Sequence, residues 1–282
     1  MYTKFLFFLS VLFFPQLFIA QSELLDEINY DVRQEVIASF KGLKVVNFES
    51  TKLVSEKEFT FSVSHRFGSI KYGFDNFFGL DEAVTRLNFI YGLNSFTNVS
   101  FSRTTYKKTF DIGIKSRLVA QTENFPITMV LYSSITLDSS LKKEIYPNLS
   151  FGNRMGYFYQ LILSRKFNDA LSAILSPTFF HENLVIFDQQ RNTQYGLCLG
   201  GRYKLSKRLS LNFDYGYHFN RANESYFNNP LGIGIDIETG GHVFQLLFSN
   251  SQPMNSINAM TSASGDWFDG DIFFGFNLYR TF

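Results

Sequence analysis

From Glu58 to the last residue the chain alternates apolar and polar side chains with a period of two, in segments of about nine to eleven residues. The cleanest case sets Leu209, Leu211, Phe213, Tyr215, Tyr217 and Phe219 against Ser210, Asn212, Asp214, Gly216 and His218. Successive side chains of a β-strand point to opposite faces, so this pattern predicts strands with one apolar and one polar face. A ten-residue strand rises roughly 33 Å and, tilted by about 45°, covers roughly 23 Å along a membrane normal, the height of the apolar band of a transmembrane barrel. Strands of soluble proteins average only about five or six residues.

Twelve such segments can be counted: Glu58–Phe67, Ala83–Tyr91, Thr97–Tyr106, Thr109–Leu118, Ile127–Leu137, Gly156–Lys166, Leu171–Phe180, Thr193–Tyr203, Arg208–Phe219, Leu231–Glu238, His242–Ser251 and Asp271–Phe282. Their connections alternate in length. Those around Gly68–Glu82, Asp138–Met155, His181–Asn192, Asn220–Pro230 and Gln252–Gly270 are long, and only Lys107–Lys108 makes a tight turn in that series. The intervening ones, Gly92–Phe96, Val119–Pro126, Phe167–Ala170, Lys204–Lys207 and Thr239–Gly241, are short. Outer-membrane barrels have long outer loops and short periplasmic turns, so both termini are expected in the periplasm. The expected fold is therefore all-β: a transmembrane, antiparallel, up-and-down β-barrel of about twelve strands over residues 58–282. The last segment also ends on an aromatic, Phe282, as the closing strand of many bacterial outer-membrane barrels does, although Arg280 stands where a second aromatic is commoner.

Composition agrees. The chain carries 35 Phe and 15 Tyr at a mean hydropathy of −0.05, which suits many half-buried strands and not a helical membrane bundle. Met1–Ala20 has Lys4 and then an apolar run from Phe5 to Phe14 that Pro15 and Gln16 interrupt. It is too short to span the bilayer and reads as a signal peptide over residues 1–20, cleaved after Ala20. Residues 21–57 show no clear period and are expected to form a periplasmic or plug-like segment. The leader removes only Lys4, leaving 25 basic against 25 acidic residues, a balance that argues against nucleic acid. A lone cysteine, Cys198, allows neither an internal disulfide nor a multi-cysteine metal site.

By alternation Arg66, Arg86, Asp111, Lys115, Arg117, Arg202, Asp214, His218, Asp236 and Glu238 point into the lumen. A charge facing lipid would cost about 2 to 4 kcal/mol at the midplane, which enforces that orientation. Two readings are open: an internal ion-pair ladder that stiffens a filled barrel, or a pore lining that selects small polar or anionic solutes. Gly113, Gly196, Gly200, Gly216, Gly232 and Gly234 share the inward face and leave room for lumen or for a plug. Four histidines, His65, His181, His218 and His242, are the available imidazole bases, and none has a serine in a His-x-Ser arrangement. Asp266, Asp269 and Asp271 lack EF-hand spacing and suit a turn better than a calcium site. No catalytic residue, cofactor or metal is expected.

The runs His65-Arg66-Phe67-Gly68, Asn76-Phe77-Phe78-Gly79-Leu80-Asp81, Asp236 to Gln245 and Gly265 to Ile272 resemble those of the DUF5777 family of Bacteroidota β-barrel proteins, over about Phe40 to Phe282. The resemblance implies an outer-membrane barrel of a Bacteroidota bacterium and carries no catalytic or ligand residue with it. The functional expectation is a passive, porin-like channel for small polar solutes, in contact with outer-membrane lipid. The alternatives are a non-conducting structural barrel, docking a periplasmic protein through residues 22–57, and, third, an outer-membrane enzyme.

Overall fold

The computed structural model describes residues 39–239 and 242–282. The expected leader over 1–20 and the first part of the 21–57 segment lie outside the described residues.

Twelve strands follow one another: β1 (Phe59–Ser69), β2 (Ala83–Asn94), β3 (Thr97–Thr104), β4 (Phe110–Val119), β5 (Thr128–Leu137), β6 (Met155–Lys166), β7 (Leu171–Glu182), β8 (Thr193–Lys204), β9 (Leu209–His218), β10 (Leu231–Thr239), β11 (His242–Ser249) and β12 (Phe273–Thr281). Each pairs antiparallel with its sequence neighbours, and β1 pairs with β12, so the sheet closes. Every segment expected from the alternation forms a strand, with ends shifted by no more than three residues. Closure leaves no edge carrying unpaired amides, which a strand in lipid cannot tolerate. The seam extends to the last residue: the Phe282 amide donates to the Phe59 carbonyl at 2.8 Å and the Phe59 amide to the Phe282 carbonyl at 3.4 Å.

The two faces follow the alternation where it is strict. On β9 the outward Leu209, Leu211, Phe213 and Tyr217 are exposed, whereas the inward Ser210, Asn212, Asp214 and His218 are buried. On β5 to β8 the expectation of a uniformly polar inner face fails. Val130, Tyr132, Phe158, Ile162, Ile174, Phe180 and Cys198 are buried there together, in one cluster that also holds Phe40, Val45, Phe48, Ile257, Ala259 and Met260. Adjacent bulky pairs such as Phe158-Tyr159 and Phe179-Phe180 make both faces apolar. The inner members gain partners from two elements that occupy the lumen, and their burial there is favourable by the usual area argument.

The first is a hairpin over residues 39–57. Its arms meet in an antiparallel bridge between Lys44 and Glu49, and its tip is closed by the Val45 amide donating to the Phe48 carbonyl at 2.8 Å. Both ends of the hairpin lie at the short-turn mouth: Arg202, near the inner end of β8, reaches the Ser39 carbonyl, and the Lys57 amide reaches the Gly92 carbonyl. The tip lies against Gly216 and Gly232, where an added Cβ would come within 2.7 Å of the Phe48 ring and 2.6 Å of Val46. Missing side chains on β9 and β10 thus make the space the tip fills.

The second is helix α1 (Ser256–Thr261), part of the connection between β11 and β12 that folds back into the long-loop mouth. Asn255 caps it, accepting from the Asn258 amide at 2.8 Å and donating to Thr109 Oγ1 at 3.1 Å. Arg221 clamps the other end, donating to the carbonyls of Met260 at 2.9 Å and Thr261 at 3.3 Å. A cation at the carbonyl end of a helix suits its dipole. Burial lowers the Arg221 guanidinium to about 10 against a smaller opposing effect of Tyr215.

Candidate functional site, the occupied lumen

Most of the inward charges are spent on the hairpin and not on one another. Asp214, at the middle of β9, is buried and accepts three consecutive amides on one oxygen: Val46 at 3.0 Å, Asn47 at 2.7 Å and Phe48 at 2.9 Å to Oδ2. Asn47 Nδ2 adds a fourth bond to Oδ1 at 3.0 Å. A tight turn leaves such amides without backbone partners, and a carboxylate is the strongest acceptor a side chain can offer them. The opposite wall presents Lys115 on β4. It pairs with Glu49 Oε2 at 2.6 Å and donates to the carbonyls of Leu43 at 3.1 Å and Ser50 at 3.3 Å. Lys44 completes the triad at 3.0 Å from Glu49 Oε1. Burial pushes the Glu49 carboxyl up, but the charges of Lys115 and Lys44 outweigh it and hold the group down to about 2.

At the short-turn mouth Glu238 pairs with Lys41 at 2.8 Å, and Arg202 bonds Ser210 Oγ at 3.0 Å and the Ser39 carbonyl at 3.4 Å. Asp236 accepts from Gln245 Nε2 at 2.6 Å, and the same nitrogen donates to the Val45 carbonyl at 2.7 Å. Arg66 is buried against Asn277 Oδ1 at 3.2 Å. Arg86 reaches upward to the Met254 carbonyl at 3.0 Å, at the base of the α1 connection, and lies 3.9 Å from Asp111. The ring of His218 is buried beside Phe180, 5.2 Å between centroids. Arg117 lies near a short turn, where it donates to the Ser95 carbonyl at 3.3 Å. Lys115, Arg202, Asp214 and Glu238 therefore touch the hairpin directly, Asp236 and Arg66 reach it through Gln245 and Asn277, and Arg86 meets the α1 connection.

The strand residues missed by a search for charges are neutral. Gln245 and Asn277 hold hairpin carbonyls at Val45 and Val46, the latter at 3.4 Å, and bond each other at 2.7 Å. Their inward parity was readable in the sequence. Cys198 is buried in the apolar cluster. Asp266 and Asp271 form a turn and Asp269 pairs with Lys71. Between the hairpin and the wall formed by β12 and β1 to β5 remains a cavity of about 30 Å³, lined by Lys44, Glu49, Arg86, Lys115, Tyr132 and Tyr279 among others. That space suits water and excludes a sugar or an amino acid.

The model of a membrane-bound β-barrel domain, DUF5777, matches residues 40–282. The chain belongs to this family. The match begins at Phe40, so the hairpin is part of the family domain and not an appendage to it. No curated relative matches the chain. Among solved structures, a KdgM porin shares 10% identity over 79% of this chain and 99% of its own, with a TM-score of 0.50, a likeness of fold. A NanC porin shares 10% identity over 79% and 98% at a TM-score of 0.49. The outer-membrane protein Omp33 of Acinetobacter baumannii shares 9% over 80% and 99% at 0.44.

Proposed function

We propose that this DUF5777 barrel is an outer-membrane channel of porin type for small polar solutes, delivered by cleavage of a signal peptide over residues 1–20 and held shut by the 39–57 hairpin and helix α1. The observation that carries the reading is the way the hairpin is held. Its backbone is gripped by wall groups, Asp214, Gln245, Asn277 and Lys115, each of which would line a wet lumen once the hairpin left. Buried polar groups need partners, and water or a polar solute can replace a peptide hairpin as that partner. The inward charges then act as a pore lining for polar or anionic solutes, and no enzymatic step is assigned to them. The oligogalacturonate seen with a KdgM porin is a solute of the class such a lining would admit.

A second reading rests on the continuous apolar cluster of hairpin, α1 and β5 to β8 wall. A filled barrel of this kind would serve as a structural or partner-docking protein of the outer membrane. Planar-bilayer recording separates the two. The full chain is expected to be mostly closed; deletion of residues 22–57, alone and with α1 replaced by a short Gly-Ser linker, is expected to give stepwise conductance that is largest when both elements are gone. No steps from any of the three proteins would refute the channel.

A further inference from the structure

The connection from β1 to β2 is a built platform of aromatic side chains that no lumen element uses. Within Ile70–Gly79 and the next residue, Tyr72 is 60% exposed, Phe74 82% and Phe77 57%, with Phe78 and Leu80 also exposed. Exposed singly, such residues would need no explanation; five lie within nine positions, with the Phe74 and Phe78 rings 4.8 Å apart, and together they make an apolar patch. The backbone is bent to display them. Phe77 and Phe78 both take left-handed conformations, φ 48° and 56°, a region bulky residues rarely enter. The bend is fixed from both sides by Asn76, which donates to the Ser69 carbonyl at 2.8 Å and accepts from the Gly79 amide at 3.0 Å. Gly79 packs so closely on Gly68 that a Cβ there would fall 2.2 Å from the Gly68 carbonyl oxygen. A second apolar tip, the fully exposed Phe268, is joined to the platform by the Lys71 to Asp269 ion pair.

The occupant is indicated by what the platform continues. It springs from the end of β1, and the Ile70 amide donates to the Ile272 carbonyl just before β12 at 3.0 Å. The outward side chains immediately below it on those strands form an aromatic band: Phe67 stacks on Phe274 at 5.7 Å, Phe274 meets Phe248 at 5.4 Å and His65 stacks on Phe276 at 5.4 Å. That band faces lipid in a membrane-bound barrel, and aromatic girdles mark the level where hydrocarbon meets headgroups. We infer that the Ile70–Leu80 platform, with Phe268, inserts into the lipid leaflet at the long-loop end and pins the β1 to β12 seam to that surface. The Lys71 and Asp269 pair sits at headgroup level. The inference is independent of whether the lumen conducts.

Site-directed nitroxide labelling tests it in dioleoylphosphatidylcholine vesicles. Cys198 is buried, so Phe74→Cys, Phe78→Cys and Asp75→Cys variants each offer one surface thiol, and unlabelled wild type checks this. Folding is confirmed by the β-sheet circular dichroism of each labelled protein. Accessibility to oxygen, which concentrates in lipid, is compared with that to a water-soluble nickel chelate. Positions 74 and 78 are expected to show the oxygen preference of a lipid-facing control, Leu211→Cys, with Asp75→Cys in water. Nickel access at 74 and 78 equal to that at 75 would overturn the inference in favour of a solvent-facing patch. Exclusion of both reagents with spin-spin broadening would overturn it in favour of a second copy covering the patch.

Discussion

Asp214 shows what a single residue contributes here. Its carboxylate replaces the backbone acceptors that three hairpin amides lack, and removing it strands those amides in a buried site at a cost of about 1 to 3 kcal/mol each. Asp214→Ala is therefore expected to release the hairpin while the barrel persists, read as many-fold more frequent openings in bilayers and new proteolytic cleavage within residues 39–57. Asp214→Asn, which keeps one acceptor oxygen, should fall between Asp214→Ala and wild type. Equal protection of the hairpin in all three proteins would show that the anchor lies elsewhere. That Asp214 faces inward was legible from the parity of β9. That it binds peptide amides was not, because a partner 166 to 168 residues away leaves no trace in local pattern. Glu49 and Lys41 escaped for the complementary reason: they lie in a stretch without strand periodicity, where parity assigns no face.

At the level of elements, the twelve strands were readable because period two persists over ten residues and tolerates few alternatives. The two lumen elements were less so. The hairpin offers only Val45, Val46 and Phe48 as extended apolar residues, and α1 is a six-residue helix whose one sequence signal is the capping Asn255. The wall told more than the elements: bulky neighbours on β5 to β8 and glycines on β9 and β10 mark where something must pack inside. The hairpin arm can be tied to that wall. Thr51 Oγ1 and Ser164 Oγ on β6 are 2.9 Å apart, and a Thr51→Cys, Ser164→Cys pair places two sulfurs where a disulfide bond of about 2.05 Å can form with small adjustment. Oxidation by copper phenanthroline is expected to abolish openings and dithiothreitol to restore those of the double variant. Openings unchanged by a disulfide demonstrated by mass spectrometry would mean that this arm does not move when the channel conducts.

For the whole molecule the decisive bond set is the seam, since a barrel with an open edge exposes unpaired backbone to lipid. Phe282 carries two of its terminal hydrogen bonds and its ring lies 6.2 Å from that of Phe59. Deleting it should slow barrel closure, seen as a lower folded fraction on refolding into vesicles at equal times, with little change in the conductance of molecules that do fold. An unchanged folding rate would assign closure to the interior of the β1 to β12 register. The hairpin enters and leaves by the short-turn mouth, and α1 enters and leaves by the long-loop mouth. Each can be drawn out along the barrel axis through the mouth by which it enters, and no disulfide ties one to the other. On the proposed channel reading the two stoppers answer to opposite compartments, and a continuous aqueous path needs both sides to withdraw their own: a logical AND across the membrane, written in chain connectivity.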